Sequence, residues 1–383
     1  MKAHEIAVFF VIVLTLYALL NWYLFMHGWR ALPADSGLRA PYVAVFLTLA
    51  LSFIAGRFLE RVWLSPLSDA LVWIGSFWIG AIVYFLLAAL AVDLIRLANV
   101  VGRFLPPEIS PQTTLRVFGA VVLLVVLILA AGAINAASPV IRTLNVTIAK
   151  QAGADRTYRI VAASDIHLGT IIGRGRLRRL VDRINGMNPD LVLFPGDIVD
   201  EDLGPVIKEN LGEVLREVRA RDGVYAVTGN HEYIGGVDAA CRYLSDHGIV
   251  MLRDSVVRLP NGITLVGRED RTNRSRKPLG ALLAGVDENA PLLVMDHQPF
   301  HLNESVAAGV DLQLSGHTHH GQMWPLSYIT EAVYERSWGL VQKGKTAIYV
   351  SCGYGTWGPP VRLGNRPEIM DIRLTFERLS SVP

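Results

Sequence analysis

Ser164-Asp165-Ile166-His167 closes the apolar run Arg159-Ile160-Val161-Ala162-Ala163 and sets a carboxylate and an imidazole two positions apart. In a strand, alternate side chains share a face, so Asp165 and His167 are expected to point the same way and hold one cation between them. A single Asp-x-His pair is weak evidence. Its company downstream is stronger: Gly196-Asp197, Gly229-Asn230-His231-Glu232, Asp296-His297 and Gly316-His317-Thr318-His319-His320-Gly321. Each cluster ends a short apolar run, which places its polar residues at the mouth of a buried sheet. All are of metal-ligand type, and together they imply a metal site.

The runs 160–164, 191–194, 224–228, 292–295 and 312–314 read as buried strands. Between them, 174–187 and 206–220 carry apolar residues at helical spacing, such as Leu177, Leu180, Val181 and Ile184, with arginines opposite. A further helix is expected over 237–248, and late strands over 263–266, 347–351 and 369–376 imply a second sheet. Strand, loop and helix in repetition make an α/β domain, a fold class that places its sites at the carboxyl ends of strands.

This domain is preceded by something different. The chain has 383 residues and is 51% hydrophobic, with a mean hydropathy of +0.36, and nearly all the excess lies before residue 137. Uncharged or nearly uncharged runs at 6–26, 41–63, 71–92 and 117–134 suffice to cross a hydrocarbon core as helices. The expected organisation is therefore a four-helix transmembrane region over 1–137, a connector with one strand over 138–158, and a catalytic domain over 159–383. Basic residues flank the runs on both sides, so the positive-inside rule leaves orientation open. A multi-pass protein of the inner membrane, with its domain on the cytoplasmic side, is the working expectation. A net charge of +2 gives no footprint for nucleic acid. Cys241 and Cys352 make no disulfide framework, and the oligomeric state is left open.

Asp165, His167, Asp197, Asn230, His297, His317 and His319 offer oxygen and nitrogen but no sulfur. Such a set suits two divalent ions of Mn, Fe, Zn or Co better than a structural zinc. The series Asp-x-His, Gly-Asp, Gly-Asn-His-Glu, His, Gly-His-x-His resembles that of the calcineurin-like metallophosphoesterases. With Gly353-Tyr354-Gly355, Gly358-Pro359-Pro360-Val361-Arg362 and Pro367-Glu368-Ile369 it is similar to their bacterial transmembrane subgroup. The resemblance implies a four-layer α/β/β/α sandwich and a two-metal phosphoesterase in which water activated by the cations attacks phosphorus. It assigns Asp165, His167, Asp197 and His319 to a first ion, with Asp197 bridging, and Asn230, His297 and His317 to a second. His231 is implied to be catalytic, protonating the leaving oxygen. Glu232, where many relatives carry Asp, stands for the carboxylate that orients it.

An aromatic stretch with Trp324, Tyr328, Ile329, Val333, Tyr334 and Trp338 follows the last motif and suggests an apolar lip for an acyl chain. Arg362 offers a bidentate fork to a phosphate. Asp296 is a candidate to orient an imidazole, and Glu269-Asp270 with Arg271 and Arg274 reads as a solvated loop. The preferred substrate class is a lipid-linked phosphate, with membrane lipids as partners. The alternatives are soluble nucleotides or phosphodiesters, UDP-2,3-diacylglucosamine, and a metal-bound docking module without activity.

Overall fold

The computed structural model describes residues 3–106, 108–153 and 156–377. Pro107, in the break before the fourth apolar run, and residues 378–383 of the expected catalytic domain lie outside the described residues. The chain divides into two compact units, with the boundary between Gly132 and Ala133 and residues 358–360 joining the first.

The first unit holds helices α1 (Ala3–Ala31), α2 (Arg39–Val62), α3 (Pro66–Gly102) and most of α4 (Pro111–Ala136), each long and apolar enough to cross a membrane. Helix α3 extends beyond the expected 71–92 at both ends. Its start is fixed by Ser65 and Ser68, each hydroxyl accepting the other's backbone N–H at 3.2 and 2.9 Å. Asn21 and Asp93, polar groups inside the bundle, find partners within it, as hydrocarbon favours. The Trp78 indole donates to Asn21 Oδ1 at 2.9 Å. Asp93 accepts from the Tyr23 hydroxyl at 2.6 Å and lies 3.2 Å from His27 Nε2.

The second unit is built on two six-stranded sheets. Its strands are β1 (Val140–Ile148), β2 (Thr157–Ala162), β3 (Leu191–Pro195), β4 (Val224–Val227), β5 (Val250–Met251), β6 (Ser255–Arg258), β7 (Thr264–Gly267), β8 (Leu292–Met295), β9 (Leu312–Ser315), β10 (Gly339–Lys343), β11 (Thr346–Val350) and β12 (Glu368–Phe376). The sheet orders are β1-β12-β2-β3-β4-β5 and β10-β11-β9-β8-β7-β6. The helices are α5 (Arg174–Gly186), α6 (Leu203–Lys208), α7 (Leu211–Leu215), α8 (Asn230–Gly235), α9 (Val237–Asp246), α10 (Leu279–Leu282), α11 (Asn303–Ala307) and α12 (Ser327–Val333).

The period-two alternation of the strands sorts their side chains into separate cores. Val161, Val192 and Phe194 pack on Leu177, Leu180 and Ile184 of α5, outside the first sheet. Their neighbours Ile160, Leu191 and Leu193 face Leu293, Met295, Leu312 and Leu314 of the second sheet. Val266, Leu292 and Val294 turn outward onto Leu279 and Leu282 of α10. Helix, sheet, sheet and helix therefore follow in four layers.

Three local expectations are corrected. The strand at 369–376 does not join the second sheet. As β12 it lies in the first, parallel to β1 and antiparallel to β2, because alternation reveals a buried face but not a distant pairing partner. The connector is likewise no separate piece, since β1 is the edge strand of that sheet. The helix expected over 206–220 is broken into α6 and α7 at Asn210, which takes the left-handed conformation at φ +52°, one that Asn tolerates better than most residues.

Candidate metal centre

Five loops converge at the carboxyl ends of β2, β3, β4, β8 and β9. Parallel pairing of β2–β3–β4 and of β8–β9 brings these ends together. Asp165 and His167 are not in a strand, contrary to the expectation of alternating faces. Strand β2 stops at Ala162, and the next residues bond to the loop after β3: Asp165 N–H to Gly196 O at 3.1 Å, and His167 N–H to Asp197 O at 3.0 Å. The shared direction comes instead from positive φ. Asp165 (+52°), His167 (+53°), Asp197 (+52°), His317 (+72°) and His319 (+46°) all lie there. For residues other than glycine this is uncommon and costs of order 1–3 kcal/mol each, and such strain gathers at functional sites. The glycine before the asparagine is there for space: a Cβ on Gly229 would lie 2.1 Å from Asp197 Oδ1.

The donor atoms meet in three groups: Asp165 with His167 and His319, Asp197 with His297 and His317, and His167 with Asp200 and His231. His167 Nε2 lies 3.0 Å from His319 Nε2, His297 Nε2 3.0 Å from Asp197 Oδ2, and His317 Nδ1 2.8 Å from Asn230 Oδ1. Two donors about 2.1 Å from one ion and roughly 90° apart sit about 3 Å from each other, so these separations fit ligands sharing an ion. Asp165 Oδ2 is buried without a hydrogen-bond partner, which the structure explains if a cation completes it. His297 Nδ1 faces the Pro195 carbonyl at 2.8 Å. A carbonyl only accepts, so Nδ1 carries the hydrogen of the neutral ring and the Nε2 lone pair is left for a metal. The residues present fit a binuclear metal group.

The electrostatics follow from this crowding. Burial raises the Asp165 carboxyl. Burial would raise Asp197 too, but the imidazoles of His297, His231 and His167 outweigh it and hold its carboxyl far below the usual range. His297 is pushed up despite burial, by Asp197 above all. Burial and the neighbouring His297 lower His317 to about 4. Burial, His167 and Arg362 keep His319 neutral.

His231 is held differently. Its Nδ1 lies 3.1 Å from an Asp200 oxygen. Burial lowers its pKa, but the Asp200 bond and the Asp197 charge prevail and raise it to about 9. Sequence reasoning missed Asp200. The signal was a second aspartate three residues after Asp197, in Gly196-Asp197-Ile198-Val199-Asp200. It also missed Trp357, whose ring packs edge-on to His231 at 5.9 Å while the residue stays 54% exposed.

Several assignments are corrected. Glu232 does not orient His231: its buried carboxylate accepts the N–H groups of Asp197, Ile198, Val199 and Gly229. Arg362 is fully buried and spends its donors on Gly355 O, Asn365 Oδ1 and His319 Nδ1, so it has no free fork for a phosphate. Trp338 gives its indole N–H to Glu368 and lies against Arg142 and His320, away from the donor groups. Trp324 is exposed. Asp296 pairs with Arg268 and Arg276 instead of an imidazole. Glu269 and Asp270 are buried, not solvated; Asp270 is bound by Gln298.

Comparison with known proteins agrees with this geometry. Residues 158–321 match the family model of the calcineurin-like phosphoesterases. An uncharacterized metallophosphoesterase of Helicobacter pylori is 32% identical over 57% of this chain and 60% of its own length. A transmembrane protein with metallophosphoesterase domain from Danio rerio is 32% identical over 63% and 59%. An uncharacterized metallophosphoesterase of Aquifex aeolicus is 31% identical over 56% of this chain and 84% of its own length. The chain belongs to the calcineurin-like metallophosphoesterase family. It spans about 60% of the length of the first two relatives.

Proposed function

We propose that the chain is a membrane-bound phosphoesterase that uses two divalent cations to hydrolyse a phosphate ester or diphosphate, with a lipid-linked phosphate as substrate. The observation that carries the reading is the convergence of Asp165, His167, Asp197, Asn230, His297, His317 and His319 from five strand ends. When bound, the cations supply Lewis acidity toward the phosphoryl oxygens and lower the pKa of water. Asp165, His167, Asp197 and His319 would hold one of them, and Asp197, Asn230, His297 and His317 the other.

His231, whose Nδ1 lies 3.1 Å from the Asp200 carboxylate that favours its protonated form, stands beside this basin and would deliver a proton to the leaving oxygen. Trp357 covers one edge of His231, and Tyr334 packs against His317 at 5.9 Å on the other side. Beyond Tyr334, helix α12 buries none of its residues, and Tyr328, Ile329 and Val333 are 57–64% exposed. An exposed apolar strip next to the donor groups supports a substrate with a hydrocarbon chain. Two free, buried thiols, Cys241 and Cys352, suit a reducing compartment and support the cytoplasmic face of the inner membrane.

The test is an assay of the full chain with Mn or Zn against phospholipids, isoprenoid phosphates, UDP-linked lipids and bis-p-nitrophenyl phosphate. Turnover of a lipid substrate, lost in Asp197→Ala, is expected. Turnover of the soluble ester alone overturns the lipid assignment, and activity surviving in the variant overturns the site.

A further inference from the structure

The last turn of α4 does more than end a membrane helix. The Asn135 amide nitrogen donates to Arg362 O at 3.0 Å and to Asn365 O at 2.7 Å. Both partners are carbonyls, so only the nitrogen can face them. These carbonyls belong to the two ends of a short loop, Arg362 and Asn365, whose buried side chains turn toward the donor groups. Arg362 Nη1 donates to Asn365 Oδ1 at 2.7 Å, and Asn365 Nδ2 donates to the backbone oxygen of His319 at 3.0 Å. His319 sits at φ +46°, a conformation that needs outside support.

A second route leaves the same turn. Arg176 donates to Ala136 O at 2.7 Å and to Tyr354 O at 3.3 Å. Tyr354 N–H bonds Ser164 O at 2.9 Å and Gly355 N–H bonds Asp165 O at 2.7 Å. Both routes therefore finish on the backbone of one donor group, at Asp165 and His319. His297 is held from elsewhere, through Pro195 O, and His317 lies against Asn230, while its backbone N–H donates to Asp165 Oδ1 at 2.8 Å.

We infer that Asn135 is a positioning residue for the ion that Asp165, His167 and His319 would hold, so that the last turn of α4, which belongs to the second unit, forms part of the support of the metal site. The inference rests on the reading of those residues as ligands. Groups that orient ligands without touching metal typically change its affinity 10- to 100-fold. Two hydrogen-bond steps separate Asn135 from His319, and an effect near the lower end, about tenfold, is expected.

The experiment is calorimetric titration of Mn2+ into the metal-free full chain in detergent, with a thermal melt of each variant. Wild type should show two binding events. Asn135→Ala should weaken one about tenfold and leave the other unchanged, at a melting temperature close to wild type. Asn135→Asp, which turns an oxygen onto two carbonyls, should weaken the same event further. Asn135→Ser, with one short donor, should recover part of the loss and replaces Asn135→Ala should that variant not fold. Unchanged affinities in Asn135→Ala and Asn135→Asp, or equal weakening of both events, overturn the inference. Asp197→Ala serves as the control for the reading beneath it: if both events survive that change, the ligand assignment itself has failed.

Discussion

Replacing Glu232 with Gln keeps the shape of the side chain and turns one of its two acceptor atoms into a donor. Oε1 takes the N–H groups of Ile198 and Val199 at 2.7 and 3.0 Å, and Oε2 those of Asp197 and Gly229 at 3.1 and 2.7 Å. Whichever oxygen becomes nitrogen, two buried N–H groups then face a donor. Each orphaned donor costs about 1–3 kcal/mol, so the variant should lose about 4 kcal/mol. At roughly 2–4 °C per kcal/mol for a domain of this size, its Tm should fall by about 8–16 °C. Two of the four N–H groups belong to Asp197 and to Gly229, the residue before Asn230, so affinity for metal should fall with stability. Thermal denaturation of the full chain in detergent, repeated across a Mn2+ titration, measures both. A variant with wild-type Tm and metal affinity but a reduced kcat would refute the clamp and restore Glu232 to the orienting role that the sequence suggested.

In the metal-free protein His231 should titrate near pH 9 by NMR, and Asp200→Asn should move it down. Because the folded pKa exceeds the ordinary value of about 6.5, its stabilising contribution is complete below pH ~6.5 and is lost as pH rises through about 9. Asp200→Asn should flatten that part of the stability profile. Gly229→Ala puts a Cβ 2.1 Å from Asp197 Oδ1. It should destabilise the fold by about 1–3 kcal/mol and displace that carboxylate, read out as lost Mn2+ binding. Saturating Mn2+ at about 100 times its Kd should raise stability by about 2.7 kcal/mol per site, and a chelator should reverse the gain in a thermal melt.

The donor residues were legible because each stands at the end of an apolar run, and chain order alone exposes that pattern. How Asp165 and His167 come to point together was not legible, since it depends on two left-handed residues and on bonds to the loop after β3. The membrane helices were legible from length and hydropathy, but the Ser65–Ser68 cap that starts α3 at Pro66 is a local polar detail. Asp200 and Glu232 show the limit most clearly. Both are acids close to the motifs, and only the fold decides that Asp200 reaches the His231 ring while Glu232 turns back onto four backbone N–H groups. Arg362 offered the right chemistry for a phosphate, but burial committed its donors to the loop beneath His319.

Counting bound metal tests the central claim most directly. Elemental analysis of the purified full chain, loaded with Mn2+ and dialysed, should find two ions per chain in the wild type. Asp197 Oδ2 lies 3.0 Å from His297 Nε2 and 3.9 Å from His167 Nε2, which suits a bridging residue, so Asp197→Ala should lose both ions. A wild type holding one ion or none, or a variant holding as many as wild type, would contradict a binuclear centre at these strand ends.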